Sequence, residues 1–247
     1  MHKIIKFHLD SYVKSCGLEH LTESERFEMF CNYAVVFNRV GSIFDASEIT
    51  TGTNDDGVDG VAVIVNEDIC LSQEDAETVF SSTKKNHDVE LVFIQSKTSE
   101  SFDLGDLLKF KEGILRFIEA DEYCSSDEVL TSANETFACC LENVPKIRGG
   151  KPRITARYVA TGRYERPEAI EVAIRKFRKN IEDLGYFSSI DVEVIGRDEI
   201  TALWVNTYSG TTAALPVFSS APLPSIAGVD EAYLVVAKAT DIVDNLL

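Results

Sequence analysis

The chain has 247 residues, of which 45% are hydrophobic and 26% charged, and its formal net charge is −17 at pH 7. These proportions are those of a globular protein and exclude a disordered or fibrous chain, and the length suffices for one large domain or two small ones. The longest apolar runs are too short to cross a membrane, and the amino terminus lacks the apolar core of a signal peptide. We therefore expect a cytoplasmic protein with no membrane partner.

Cysteine usage favours a reducing compartment. The six cysteines include no CxxC pair, and the four histidines form no cluster with them at metal-ligand spacing. A structural zinc site is therefore not expected, and the adjacent Cys139 and Cys140 are better explained as small buried residues than as a reactive pair.

Charge is distributed unevenly along the chain. The acidic excess lies in residues 1–145, whereas basic and acidic residues balance in 146–247. Within that second part, 146–179 is locally basic, and it is either a solvated helix face with ordinary ion pairs or a surface that contacts the phosphates of a nucleic acid. The residues that we assign to nucleic-acid binding are Lys146, Arg148, Lys151, Arg175, Lys176, Arg178 and Lys179.

The first 145 residues predict five helices and two buried strands. Thr22 and Glu25 match a capping box for the second helix, and Gly41 is a plausible end. Ser72 is expected to cap the third helix, and the composition of 50–57 is typical of a turn. In chain order the predicted elements are helices 3–15 and 21–40, strand 58–66, helix 71–83, strand 89–97, and helices 104–118 and 127–142.

Strands and helices continue to alternate after a turn at 148–152. Pro167 and Gly185 are expected in the first turn and at the end of one helix. The tail 210–237 is poor in charge and predicts two irregular strands, of which 233–237 is the better; we favour core strands over an exposed interface. The remaining predicted elements are strand 154–162, helix 166–185, strand 190–196, helix 197–209, and the beginning of a helix at 239–247.

The order of these elements predicts an α/β fold. Strands that alternate with helices are typical of a central mixed sheet flanked by helices. We expect residues 1–145 to form a core and residues 146–247 to add further α/β elements packed on the same sheet, so that the chain forms one compact unit.

The residues that carry chemistry lie on the two predicted strands of the first part. Asp59 lies in a DDGVDG turn at the mouth of its strand. Gln95 and Lys97 are two residues apart on the next strand, so their side chains share a face and can converge on one point. They end a strongly apolar run, where a polar pair needs a partner or a ligand. Carboxylate and carbonyl oxygens together suit Mg²⁺, which takes few protein ligands and keeps several waters.

This D…QxK pattern resembles that of the PD-(D/E)xK nuclease superfamily. The resemblance implies that Asp59 and Gln95 hold Mg²⁺ (or Mn²⁺) against the scissile phosphate, where the metal polarises the phosphoryl oxygen and activates a water. Lys97 would position that water and offset the developing charge. Such nucleases often add an acid from the preceding helix, and Glu28 is the candidate for this third metal ligand. Because Gln95 is neutral, we expect metal to bind more weakly than at a carboxylate.

Each of these residues also has a purely structural interpretation. Asp55, Asp56 and Asp59 could be turn formers. Lys97 could protect a strand edge against aggregation, and Glu28 could be an ordinary solvent-facing helix residue. The order of helix with Glu, strand with Asp, strand with QxK and then helix favours the catalytic interpretation.

Longer segments resemble the amino-terminal region of AIPR proteins, the abortive-infection phage-resistance family. The resemblance implies a Mrr-like, restriction-endonuclease-like fold and a role in bacterial defence against phage or other foreign DNA, and it assigns the site to Glu28, Asp59, Gln95 and Lys97. AIPR proteins usually continue into a larger carboxy-terminal region, so we expect either a truncated chain or a short member. The segments are TGTNDDGVDGVAVIVN, FIQSKTSESFDLGDLLKF, RYVATGRY at 157–164 and VDEAYLVVA at 229–237.

Two functions of different classes follow. The first is a Mg²⁺-dependent endonuclease that acts on nucleic acid, with DNA expected, and a homodimer is plausible because cutting both strands at once needs two sites. The second is a catalytically silent binding or sensing module with the same fold. The joint presence of Asp59, Gln95 and Lys97 favours the enzyme. The sequence has no GxxxxGK[ST], GxGxxG or GxSxG motif, which argues against a nucleotide-binding enzyme or a serine hydrolase.

Overall fold

The structure is a computed structural model that describes residues 1–52, 57–119, 123, 125–209, 215–223 and 232–241. Contacts along the chain define two units, Met1–Thr207 and Tyr208–Leu247. The larger unit therefore includes strands from both sides of residue 145, and the predicted division of the chain into 1–145 and 146–247 stays a prediction.

The larger unit is built from a mixed five-stranded sheet and flanking helices, as the alternating pattern predicted. Its helices are α1 (Lys3–Cys16), α2 (Glu23–Val40), α3 (Gln73–Ser81), α4 (Leu104–Glu119), α5 (Glu128–Glu142), α6 (Glu168–Leu184) and α7 (Arg197–Asn206). Its strands are β1 (Gly60–Val65), β2 (Asp68–Cys70), β3 (Val89–Lys97), β4 (Arg153–Ala160) and β5 (Ser189–Ile195). Short 3₁₀ turns cover Ala46–Ile49, Val144–Lys146 and Arg148–Gly150.

The strand order determines which residues meet at one edge of the sheet. The order is β2-β1-β3-β4-β5; β1 is antiparallel to both of its neighbours, whereas β3, β4 and β5 are parallel. The carboxyl ends of β3, β4 and β5 therefore lie at the same edge as the amino end of β1. We call this the carboxyl edge, and the opposite one the amino edge. Asp59, directly before β1, and Lys97, the last residue of β3, both lie at the carboxyl edge.

Two hydrophobic cores lie on the two faces of the sheet. Side chains alternate between faces along a strand, so Leu91 and Phe93 pack toward α4, α5 and α6, while Val92 and Ile94 pack toward α1, α2 and α7. Each of these side chains is essentially inaccessible to solvent, and burying a side chain of this size stabilises the fold by about 1.5–3 kcal/mol. The same alternation directs Gln95 and Lys97 to the α4 face.

Local signals in the sequence place most helix ends. The capping box predicted at Thr22 and Glu25 is present, and Gly41 ends α2 with φ 64°. Ser72 caps α3, as predicted. Pro167 is the residue before α6, with extended φ/ψ, and does not lie inside its first turn. The sequence analysis missed β2, because three residues are too short to show a period.

The smaller unit contains an antiparallel pair of strands, β6 (Val217–Pro222) and β7 (Tyr233–Ala237). Both strands were predicted, but all of β6 and the first four residues of β7 are exposed. The favoured interpretation of the tail as core strands is therefore wrong. The helix expected at 239–247 begins at 239–241, and its remainder lies outside the described residues. Within the described ranges, no helix is long and apolar enough to cross a membrane.

Candidate active site at the carboxyl edge

Asp59 is held at the start of β1 by hydrogen bonds to β3. Its backbone N–H donates to the carbonyl oxygen of Ile94 at 2.8 Å. Its carboxylate Oδ2 accepts the backbone N–H of Ser96 at 2.6 Å and lies 3.3 Å from the Ser96 hydroxyl. The carboxylate thus replaces a strand partner for Ser96, and it is 4% exposed. Because Gly60 is the Cα partner of Ile94, Asp59 is the next residue in register and lies opposite Gln95.

Asn32, on α2, positions the backbone of Asp59 from the other side. Its Nδ2 donates to the carbonyl oxygen of Asp59 and to Oγ1 of Thr50, each at 2.9 Å. A Cβ at Gly60 would clash with the Asn32 amide, so this close approach requires glycine. Among the described residues, Asn32 Oδ1 has no hydrogen-bond partner. The point at which β1 begins is therefore set by a helix side chain as well as by the sheet.

The loop before Asp59 also packs on α4. Gly57 has φ 86°, and a Cβ there would lie 2.9 Å from Cγ of Lys109 and 3.1 Å from its backbone. Both the left-handed conformation and the close contact favour glycine. Asp55 and Asp56, considered as turn formers, lie outside the described residues.

Gln95 is a deeply buried polar side chain at the carboxyl edge. It is 1% exposed, and within the described part of the chain its Oε1 has no hydrogen-bond partner. Leaving a buried carbonyl unpaired costs about 1–3 kcal/mol. Plain packing would favour an apolar side chain at this position. A cation that accepted this oxygen and the Asp59 carboxylate as ligands would remove the penalty.

The residues present fit a divalent cation of the Mg²⁺ type. No group of three or more His, Cys, Asp or Glu side chains in the described ranges is arranged to hold a metal ion. A transition-metal cage is therefore not seen in that part of the chain. Mg²⁺ takes one or two carboxylates, further oxygen donors and several waters. Asp59 and the unpaired Gln95 carbonyl supply such a set.

Lys97 ends β3 beside this pair. It is half-buried, on the same face as Gln95, and makes no ion pair with any described residue. Most lysines at such positions gain a carboxylate partner or extend fully into water. A half-buried ammonium with neither is available to an anion that enters at the carboxyl edge.

Glu28 lies on α2, the helix that also carries Asn32. It is half-buried, and its Oε1 accepts a hydrogen bond from Ser24 at 3.0 Å. The buried Cys31 thiol reports its position: burial raises the Cys31 pKa, and the negative charges of Asp59 and Glu28 raise it further. Both carboxylates therefore lie near one thiol. Glu28 stands on the α2 face of the sheet, whereas Gln95 and Lys97 leave β3 toward the α4 face.

Tyr158 lies beside the site but was not predicted from the sequence to do so. It is the Cα partner of Gln95 on β4, is buried, and donates its hydroxyl to the carbonyl oxygen of Asp103 at 3.4 Å. Burial and, next, the charge of Asp106 raise its pKa to about 12. The pairing of β3 with β4 brings the Tyr158 phenol beside Gln95. This pairing cannot be predicted from the sequence of β4 alone. Asn32 did carry a signal: it is a polar residue one turn after Glu28 in an otherwise apolar stretch.

The predicted nucleic-acid residues before β4 are not brought to the site. Lys146, Arg148 and Lys151 lie at the amino edge, about 25 Å from the carboxyl edge if β4 rises at 3.3 Å per residue. Lys146 donates to the carbonyl oxygen of Phe80, and Arg148 pairs with Asp88 at 3.1 Å. These contacts explain two of the three basic residues as structural.

The four basic residues of α6 are exposed but not equivalent. Arg178 donates to the carbonyl oxygen of Val192 at 2.5 Å. Lys179 pairs with Asp183 at 2.7 Å, which chiefly raises the Lys179 pKa. Arg175 and Lys176 form no ion pair with the residues that the structure describes. The interpretation as a solvated face with ordinary ion pairs therefore accounts for half of this set.

Comparisons with known proteins identify no relative of this chain. No protein-family model matches the chain, and neither a curated protein nor a solved structure gives a match. The AIPR and PD-(D/E)xK resemblances stay predictions from the motifs.

Proposed function

We propose that this protein is a divalent-metal-dependent nuclease that hydrolyses phosphodiester bonds in nucleic acid, with DNA as the expected substrate. The observation that carries the proposal is the buried Gln95 carbonyl, which has no hydrogen-bond partner among the described residues and lies two residues from Lys97, with the buried Asp59 opposite Gln95 in strand register. The proposal includes a restriction-endonuclease-like arrangement of the core and the AIPR-type role in defence against phage. It also includes a homodimer for double-strand cutting and a cytoplasmic location, where free thiols persist.

Asp59 and Gln95 would hold Mg²⁺ or Mn²⁺, with Glu28 as a further ligand from α2. A bound cation of this kind polarises a phosphoryl oxygen and lowers the pKa of a coordinated water. The hydrogen bond from Ser96 keeps the Asp59 carboxylate in one orientation, which reduces the reorganisation needed on binding. The reaction adds the oxygen of water to phosphorus and breaks one phosphorus–oxygen ester bond, leaving a phosphate monoester and a hydroxyl.

Lys97 would stabilise the charge that develops on the phosphoryl oxygens. Its ammonium is half-buried, where charge interactions are stronger than in bulk water. Without a carboxylate partner among the described residues, it has no competing ion pair to break when substrate arrives. This is the expected state of a group that acts on an incoming phosphate.

The second candidate is a catalytically silent module that recognises nucleic acid or a phage component. The observation that favours it is the lack, in the described ranges, of a third acidic side chain grouped with Asp59 and Glu28. Such a module would have no chemical reason to keep a buried, unpaired Gln95 carbonyl at the cost of stability. We therefore place the nuclease first.

The test is cleavage of four substrates: supercoiled plasmid, linear duplex, single-stranded DNA and RNA. Each is incubated with wild-type protein in Mg²⁺, Mn²⁺ or EDTA, and with Asp59→Asn. Cutting that requires metal and is lost in Asp59→Asn supports the nuclease. Folded protein that cuts none of the four substrates would favour the silent module.

A further inference from the structure

The loops that leave β3 and β4 at the carboxyl edge are joined to one another. Ala160, the last residue of β4, is the Cα partner of Lys97. Directly after it, the backbone N–H of Thr161 donates to the carbonyl oxygen of Ser99 at 3.0 Å. The Thr161 hydroxyl donates to the carbonyl oxygen of Thr98 at 2.9 Å. The chain that leaves β4 is therefore held beside the chain that follows Lys97.

The next residues extend this connection to β5. A Cβ at Gly162 would clash with the backbone carbonyl of Glu100, so the two loops touch at a position that only glycine allows. The carbonyl oxygen of Gly162 accepts the N–H of Arg197, the first residue of α7, at 2.8 Å. The three parallel strands thus end in one connected rim. We call residues 161–166 of this rim the β4 exit loop.

The β4 exit loop carries Arg163 and Arg166, both exposed and neither in an ion pair with a described residue. Two nearby acids have closer cationic partners: Glu100 lies 4.0 Å from the amino terminus, and Asp198 lies 2.9 Å from Nε of Arg197. The hydrogen bond from Arg197 chiefly lowers the Asp198 pKa, and the charge of Arg163 contributes less. Glu165 is the acidic residue between the two arginines. The β4 exit loop is therefore net positive in a chain whose net charge is −17.

Strand geometry limits the distance between Arg163 and Lys97, because Ala160 is the partner of Lys97. Adjacent strands lie about 4.8 Å apart, and an extended residue spans at most about 3.6 Å, so the Cα of Arg163 lies within about 16 Å of that of Lys97. Phosphates follow one another about 3.4 Å apart along the axis of each DNA strand. Arg163 is therefore within about five nucleotides of a phosphate that contacts Lys97.

We propose that Arg163 and Arg166 bind the phosphodiester backbone on one side of the bond that is cut, an inference that rests on the proposed nuclease function. Arginine presents a planar fork of donors that matches phosphate oxygens. Arg166 also holds φ 55°, a left-handed conformation that side chains disfavour and that clusters at ligand sites. Lys146, Arg148 and Lys151, which were assigned to nucleic-acid binding from the sequence, lie at the amino edge, whereas these two arginines follow β4 at the carboxyl edge.

The experiment measures binding separately from cleavage. Fluorescence anisotropy of a short labelled DNA duplex, with Ca²⁺ in place of Mg²⁺, gives Kd over a range of salt concentrations. The test variant is Arg163→Ala/Arg166→Ala, and the matched control is Lys84→Ala/Lys85→Ala, which removes two exposed cations before β3, at the amino edge, that also lack ion pairs with described residues. Thermal unfolding establishes that each variant folds.

We expect the test variant to bind about tenfold more weakly, and the slope of log Kd against log salt to fall by about 1.8, the value for two lost phosphate contacts. The control variant should match wild type in both quantities. Equal weakening of the test and control variants, or no change in the slope of the test variant, would overturn the proposal.

Two further results separate this inference from the proposed function. Wild-type protein that binds the duplex but cuts nothing in Mg²⁺ would contradict the nuclease, while the paired variants would still decide the phosphate contacts. Wild-type protein that binds neither duplex DNA, single-stranded DNA nor RNA would overturn both. Stronger binding of RNA, with the same loss in Arg163→Ala/Arg166→Ala, would support the contacts and change the substrate class.

Discussion

The carboxylate of Asp59 accepts the backbone N–H of Ser96 at 2.6 Å, one residue before Lys97 on β3. This bond ties the acid and the lysine of the candidate site to adjacent positions of one strand. Their relative placement therefore depends on the β1–β3 register and on this hydrogen bond from the Asp59 side chain. A one-residue slip of β1 would move Asp59 out of reach of Ser96 and would turn every core residue of β1 to the wrong face.

The first prediction separates the chemical role of Asp59 from its structural one. Asp59→Asn keeps an oxygen that can accept from Ser96, so we expect it to fold with a loss of about 1 kcal/mol and to lose cleavage. Asp59→Ala leaves the Ser96 N–H unpaired and should lose about 1–3 kcal/mol more. Urea unfolding and cleavage rates measure both effects. If Asp59→Asn cuts at the native rate, Asp59 has no role in the mechanism.

The second prediction concerns the unpaired carbonyl of Gln95. Gln95→Leu has a similar volume and no buried polar atoms, so we expect metal-free stability to equal or exceed that of wild type by up to about 1 kcal/mol. The rise in melting temperature that Mg²⁺ or Mn²⁺ gives to wild type should disappear.

Thr155→Val is the matched control for this test. Thr155 is also a buried polar residue of the sheet. Unlike the Gln95 carbonyl, its hydroxyl has a partner, because it donates to Glu90 at 2.6 Å. Its loss should destabilise the protein by about 1–3 kcal/mol and leave the metal response intact. If Gln95→Leu is destabilised as much as Thr155→Val, the Gln95 amide is satisfied in solution and the metal argument loses its basis.

The third prediction tests the contact between α2 and β1. A methyl group at Gly60 would clash with the buried Asn32 amide, so Gly60→Ala should be destabilised by about 1–3 kcal/mol. In the Asn32→Ala background the same change should cost less, because the amide that it meets is gone. A double-mutant cycle from urea unfolding gives the coupling. A coupling of zero would mean that the two residues do not touch.

The fourth prediction is a pH dependence at Asp191, far from the site. Burial alone would raise the Asp191 pKa, but the hydrogen bond and charge of Arg157, with Arg39 nearby, hold it below its ordinary value. The unfolded chain then binds this proton more readily, so the stabilisation is full above about pH 4 and is lost as pH falls below that value.

Asp191→Asn should therefore reduce the loss of stability between about pH 4 and pH 2. It should also destabilise the protein at pH 7, because the buried Arg157 would lose its closer carboxylate partner and keep Glu193 at 3.7 Å. Asp10→Asn, an exposed position on α1, is the control. Melting temperatures of both variants are measured across this pH range. If Asp191→Asn loses stability below about pH 4 as steeply as wild type does, Asp191 is not responsible for that loss.

The sequence predicted those parts of the site that local chemistry determines. Alternation along β3 places Gln95 and Lys97 on one face, and the turn residues around Asp59 put it at the mouth of β1. Strand pairing decides the rest. Ser96 contacts Asp59 through its backbone N–H, which any residue could supply, so no side-chain pattern indicates it. Tyr158 comes beside Gln95 only through the parallel register of β3 and β4.

The basic residues 146–151 and the tail show the same dependence on tertiary structure. Residues 146–151 are basic, but their distance from the site follows from the direction of β4, which begins at Arg153 and runs toward the carboxyl edge. The tail shows β-branched, apolar strands, yet apolar composition alone does not show whether a second layer covers them. In this structure β6 and β7 pair with each other and stay exposed.

The most direct test of the central claim is single-turnover cleavage of duplex DNA in Mg²⁺ by Lys97→Met, with Lys151→Met as the matched control. Both changes remove one lysine charge and keep most of the side-chain volume, and only Lys97 lies at the carboxyl edge. We predict that wild type and Lys151→Met cut at the same rate, and that Lys97→Met binds the duplex but cuts at least about 100-fold more slowly. Equal rates for all three proteins would contradict the claim that the carboxyl edge is the active site.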